Sequence, residues 1–306
     1  MRKHAASWPA GWVWLGVLAG GLAALAPGVR GETAATQPGQ EKYRAHVEAL
    51  TKRVPGGFTI VPARPFVVVG DEPADIVRQR AAQTVGWAVR LLKRDYFSKD
   101  PDPIIDIWLF QDQASYRQHA WELFHDRPTT PYGYYSARHH ALIMNIATGG
   151  GTLVHEIVHP FMAANFPQCP PWFNEGMGSL YEQCEERHGH ILGLTNWRLA
   201  GLQQAIRQGP LPPFKDLCSL EAEGFYGPNT GGSGGAGGSG LHYAMARYLC
   251  YYLQQQGLVI RFYKEFREHA DEDPSGYQTL QRVTGERDLA GFQKRWQAWV
   301  LELRFP

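Results

Sequence analysis

The chain has 306 residues, 44% of them hydrophobic and 19% charged, which is globular composition with enough apolar material for a sizeable core and excludes a disordered chain. Thirty Lys and Arg residues against 29 Asp and Glu leave a formal net charge of +1, and no basic run breaks that balance. Nucleic acid and anionic membrane are therefore not expected as partners.

The first segment differs in kind from the rest. MRKH is followed by the apolar run GWVWLGVLAGGLAALA and by the small, polar stretch PGVRGETAATQPGQ. That order predicts a secretory signal over residues 1–31, with an uncleaved N-terminal anchor as the alternative, and hence an exported protein, periplasmic, cell-envelope or secreted. Residues 32–57 read as a linker and leading segment, and the main domain is placed at 58–306. Cys169, Cys184, Cys218 and Cys250 all lie in that domain, where two disulfides or four free thiols are both compatible with their spacing.

FVVVGD (66–71) has the β-branched, apolar character of a strand, and the next stretch, 74–97, repeats its apolar residues at helical spacing. IIDIWLFQD (104–112) alternates as a strand does, and QASYRQHAWELF (113–124) returns to helix. YGYYSARHHALIMNIA (132–147) predicts a hairpin turning near Arg138 and His139. The fold class expected is α+β: a mixed sheet with helices, then a further helix, then a mainly helical C-terminal part. The helices expected after Glu182 lie in LTNWRLAGLQQAIRQG, LHYAMARYLCYYLQQQG, RFYKEFREHA and LAGFQKRWQAWVLELRF. Between the first two, the glycine and serine tract at 227–240 predicts a flexible loop.

The chemistry is concentrated in TLVHEIVHPF (152–161), which follows three glycines and contains H-E-x-x-H. On a helix His155 and His159 lie one turn apart on one face and can aim at one ion, while Glu156 sits about 100° round the helix, free to serve a water molecule as a base. A chance match somewhere in a chain with 12 histidines is expected at roughly a few per cent. Pro160 removes a backbone hydrogen bond directly after the second histidine, so the helix is expected to bend just past it. Downstream, PPWFNEGMGSLYEQ (170–183) starts a helical stretch after a Pro-Pro turn and offers Glu175 as a third ligand, which would leave a fourth position open for water. A solvated carboxylate at a helix start is the plainer account of Glu175.

WFNEGMGS (172–179) resembles the W-L-N-E-G-F-A-S segment of gluzincin aminopeptidases and of the wider peptidase MA-like group, the thermolysin-like superfamily of H-E-x-x-H enzymes with a downstream glutamate ligand. The resemblance implies a zincin-like catalytic domain with Zn2+ held by His155, His159 and Glu175, and Glu156 as general base. Tyr243, which opens a later helix, matches the tyrosine that stabilises the oxyanion in those enzymes, although Met245 and Ala246 stand where their motif has lysine and glycine. ALIMNIA (141–147) occupies the place of their amine-gripping motif and has no acidic residue, so strict aminopeptidase action is not implied. ALIMNIA instead reads as an edge strand that pairs with an extended peptide, or as a core strand. His139 and His140 before it read as exposed turn residues.

The function expected is therefore an exported zinc metallopeptidase acting on peptide or protein substrates. Two alternatives are a catalytically inactive zincin-like domain that binds peptide or envelope material, and a zinc amidase acting on a non-protein amide.

Overall fold

The structure is a computed structural model, and it describes residues 38–227 and 239–305. The expected signal at 1–31 and most of the glycine and serine tract lie outside the described residues. Helix α1 (Pro38–Thr51) precedes strands β1 (Thr59–Ala63) and β2 (Phe66–Gly70). Helix α2 (Ala74–Arg80) runs through a π-helical turn, Ala81–Gly86, into α3 (Trp87–Asp95). Then come β3 (Ile105–Phe110), α4 (Gln113–Phe124), β4 (Gly133–Ser136), β5 (Ala141–Asn145), α5 (Gly150–Asn165) and α6 (Pro171–Leu180). A short hairpin, β6 (Cys184–Arg187) and β7 (His190–Gly193), separates these from α7 (Arg198–Gln208), α8 (Phe214–Ser219) and α9 (Ala222–Tyr226). The chain closes with α10 (Ser239–Gln255), α11 (Val259–Glu268), α12 (Tyr277–Thr284) and α13 (Leu289–Glu302).

The class is α+β, with one five-stranded mixed sheet in the order β1-β2-β3-β5-β4. Strands β2, β3 and β5 run parallel at its centre, and β1 and β4 close it antiparallel at the two edges. The three central strands are buried at every position, which is why they read as nearly continuous apolar runs. Their alternate residues serve two cores. Phe66, Val68, Ile107, Leu109, Leu142 and Met144 face the larger one, built with α3, α5, α6 and α10, while Val67, Val69, Trp108, Phe110 and Ile143 face α1 and α4.

β5 is therefore an inner strand, so of the two readings of ALIMNIA the core strand holds and the edge strand does not. A run as apolar as ALIM has to be covered on both faces, whereas GYYS in β4 leaves Tyr135 exposed and takes the edge. The turn between them also differs from expectation at one residue. His140 is exposed, but His139 is half-buried with its ring 5.2 Å from that of Phe124.

Contacts group the described residues from Lys42 onward into one compact unit. Most of α1, inside the segment read as a linker, thus belongs with the sheet. The buried Tyr43 hydroxyl donates to the Phe66 carbonyl at 2.6 Å, and His46 Nε2 lies 2.7 Å from Asp106 Oδ1. No helix among the described residues is long and apolar enough to cross a membrane.

Helix α5 does not stop at Pro160 but continues to Asn165. A proline inside a helix costs about 3 kcal/mol. Phe161 and Met162, both buried directly after it, each return about 1.5–3 kcal/mol by leaving water. The end of the helix is pinned as well, because the Asn165 side chain accepts from the backbone N–H groups of Ser98 and Lys99 at 3.0 and 2.9 Å.

Candidate metal centre

Helix α6 is fixed before it contributes any chemistry. Pro170 and Pro171 set its first turn, Trp172 and Phe173 are fully buried, and Trp172 Nε1 donates to the Ser275 carbonyl at 2.8 Å. On its other flank, the buried Arg247 of α10 donates through Nε to the Ser179 carbonyl at 2.9 Å. Anchored in this way, α6 packs against α5 and presents Glu175 to the face carrying both histidines.

Two glycines make the approach close enough. A Cβ at Gly151 would stand 1.9 Å from the Glu182 carbonyl oxygen, so only glycine lets the start of α5 touch the chain just beyond α6. A Cβ at Gly178 would meet Cδ2 and Nε2 of His155 at 3.1 Å. The imidazole of His155 therefore lies directly on the backbone of α6.

His155, His159 and Glu175 each offer one ligand atom, and these atoms lie within 4.8 Å of one another. Both Nε2 atoms face the same carboxylate oxygen: His155 Nε2 is 3.1 Å and His159 Nε2 is 3.8 Å from Glu175 Oε2. A tetrahedral zinc ion with bonds of about 2.0–2.1 Å spaces its ligands roughly 3.4 Å apart, so the set has the scale as well as the chemistry of a zinc site. Two imidazoles and one carboxylate fit the ion and leave one position for another ligand.

The groups behind these ligands complete the fit. His159 Nδ1 donates to Asn174 Oδ1 at 3.0 Å, which orients the ring with Nε2 toward Glu175. His155 Nδ1 is 3.3 Å from Glu182 Oε1, a charge contact whose angle falls short of a hydrogen bond. Glu182 is held in turn by Arg198, which donates from Nε and Nη2 at 2.9 and 2.7 Å, and by Asn196 Nδ2 at 2.9 Å. Glu175 Oε1, the oxygen turned away from the histidines, accepts from the Tyr226 hydroxyl at 2.8 Å.

The electrostatics favour positive charge at this point. Burial alone would lift the Glu175 pKa, but the charges of His159 and His155 and the donation from Tyr226 hold it down to about 2. Burial alone would depress His155, yet the carboxylates of Glu175 and Glu182 on either side raise it to about 10. Burial and the nearby Glu175 carboxylate push the phenols of Tyr226 and Tyr243 upward.

Of the residues singled out from sequence, His155, His159 and Glu175 come together. Glu156 is half-buried on the adjoining face of α5, close enough for its charge to reach the hydroxyls of Tyr116 and Tyr243. Tyr243 opens α10 half-buried, its ring 5.2 Å from Phe225 and 6.4 Å from Tyr226, with the Arg198 guanidinium 5.3 Å over it. Asn174, Glu182, Arg198 and Tyr226 were not anticipated. Asn174 and Glu182 lie in or beside the segment carrying Glu175, whereas Arg198 and Tyr226 reach the site only through the fold. Comparison with protein families and with curated proteins returned no match.

Proposed function

We propose that the chain is an exported zinc-dependent peptidase with a zincin-like catalytic domain. The observation that carries this reading is the convergence of His155 Nε2 and His159 Nε2 on one oxygen of Glu175, with a partner placed behind each imidazole. The charged, apolar and small-residue order of the N-terminal segment supports export.

His155, His159 and Glu175 would hold the ion, and Tyr226 would keep Oε1 of Glu175 occupied so that only Oε2 is offered to it. A bound zinc ion supplies Lewis acidity, lowering the pKa of a water and polarising a carbonyl oxygen. Glu156 takes a proton from the attacking water and returns it to the leaving amine, which requires its carboxylate to stand clear of the ligand set, as its place on α5 provides. Tyr243 donates its phenolic proton to the developing oxyanion, while the hydroxyl of neighbouring Tyr226 stays engaged on Glu175. Strand β4 has no partner on its outer side among the described residues, and an extended substrate backbone would pair there.

The test is zinc content by mass spectrometry on purified protein, with His159→Ala and Glu175→Ala as site variants and Glu156→Gln as the inactive control in a peptide-cleavage screen. Near-stoichiometric zinc that disappears in both folded variants is the expected result. An empty parent under zinc-replete conditions would sink the reading.

A further inference from the structure

Away from the metal centre, the chain from Asp126 to Arg138 crosses from the end of α4 to β4, and two grooves of about 280 and 460 Å³ open along it. They share Asp126, Arg127 and Pro128 as a common wall; Arg117 and Trp121 line the first, and Tyr135 and Arg138 the second. The sequence showed no basic run because these arginines are separated along the chain, and the fold gathers them.

Arg117, Arg127 and Arg138 are all exposed, and among the described residues no ion pair engages any of them. Against these three guanidinium groups the lining holds one carboxylate, Asp126, which already accepts from the Tyr134 hydroxyl at 2.8 Å. The Arg127 guanidinium sits 4.8 Å over the Trp121 ring. Stacking of that kind fixes the plane of the guanidinium and leaves its N–H edge free to fork onto a carboxylate. Trp121 and Tyr135, 48% and 42% exposed, give the grooves apolar surface.

Beside the grooves runs β4, the sheet edge, whose outward N–H and C=O groups are available to a further strand. An added strand turns alternate side chains to one side, so carboxylates two residues apart would meet the arginines in succession. Strand β4 also packs against α5, the helix that carries both histidines.

We propose that this surface docks an acidic, extended polypeptide segment, with its backbone along β4 and its carboxylates on Arg117, Arg127 and Arg138. Resting on the peptidase reading, the same docking makes acidic segments the substrate class of the metal centre.

The test uses the full-chain Glu156→Gln protein and fluorescence anisotropy with two labelled probes, an alternating Glu/Thr peptide and its Gln/Thr counterpart. The Glu peptide is expected to bind more tightly than the Gln peptide, to weaken as salt is added, and to lose on the order of tenfold in affinity when Arg117→Gln and Arg127→Gln are combined. Equal binding of the two peptides, or unchanged binding in the double variant, would overturn the proposal. Preference for the anionic polysaccharide polygalacturonate over the Glu peptide would overturn its polypeptide assignment. Tight, arginine-dependent binding of a Glu peptide that the wild-type protein leaves uncut would uphold the docking surface and count against the peptidase reading.

Discussion

Replacing Arg198 by glutamine removes both donors that Arg198 gives Glu182, at 2.9 and 2.7 Å, from a pair whose side chains are only 15% and 6% exposed. Breaking a buried ion pair from one side costs about 3–5 kcal/mol, because the remaining charge stays out of water and here keeps only His155, 3.3 Å away, as a positive neighbour. At about 2–4 °C per kcal/mol for a domain of this size, the melting temperature of the metal-free protein should fall by roughly 10 °C. The freed Glu182 should then hold His155 less well, lowering zinc affinity about 10–100-fold. Calorimetric melting of the metal-free protein and zinc competition against a chromophoric chelator measure the two effects separately. Combining Arg198→Gln with Glu182→Gln leaves neither partner of this pair charged, so the double variant should lose less stability than the two single changes added together. A single variant that melts within about 2 °C of the parent, or a pair that is strictly additive, would refute the reasoning.

Three further predictions concern the phenols, a glycine and the thiols. Tyr243→Phe should lower kcat about 10²-fold or more with zinc affinity unchanged, whereas Tyr226→Phe should also alter the visible spectrum of the cobalt-substituted protein, since it frees Oε1 of Glu175. An unchanged cobalt spectrum in Tyr226→Phe would show that Tyr226 does not shape the ligand set. Gly178→Ala places a methyl group 3.1 Å from the His155 ring, so the ring must yield by a few tenths of an ångström. It should cost about 1–3 kcal/mol in urea unfolding and weaken zinc binding, and unaltered zinc binding would contradict the close approach of α6 to His155. Burial pushes all four free thiols upward, Cys184 to about 12, so each stays protonated and unreactive at pH 8. Ellman's reagent should therefore find almost no thiol in the native protein and all four after denaturation; two or four missing thiols would reveal disulfides instead.

The strands of the central sheet were legible because full burial on both faces forces apolar, β-branched composition, as in Phe66–Gly70 and Ile105–Phe110. Helix α4 was legible from end to end, and in the structure Asp112 caps it by accepting from the Ser115 backbone N–H. The hairpin β6–β7 was missed, since Cys184–Arg187 is largely polar, and its one local clue was His188-Gly189, where both residues take positive φ. Strand β1 and the short helices α8, α9 and α12 were also missed, being five to eight residues long and placed by tertiary packing. The convergence of three residues at the candidate site was legible, His155 and His159 from their helical spacing and Glu175 from the resemblance of its segment. Arg198 and Tyr226 were not, because each reaches the site across a long stretch of chain, 16 residues to Glu182 and 51 to Glu175, and no local pattern records such contacts.

The buried anchors of α5 and α6 have a further consequence. Phe161, Met162, Trp172 and Phe173 set the positions of both helices through the general core, and Gly151 locks the start of one against the chain just beyond the other. In zinc fingers the metal organises the fold, and a chelator denatures the domain. On the zinc reading proposed above, His155, His159 and Glu175 would form a preformed socket, little of the free energy of metal capture would be spent on folding, and removing the ion with a chelator should leave the protein native.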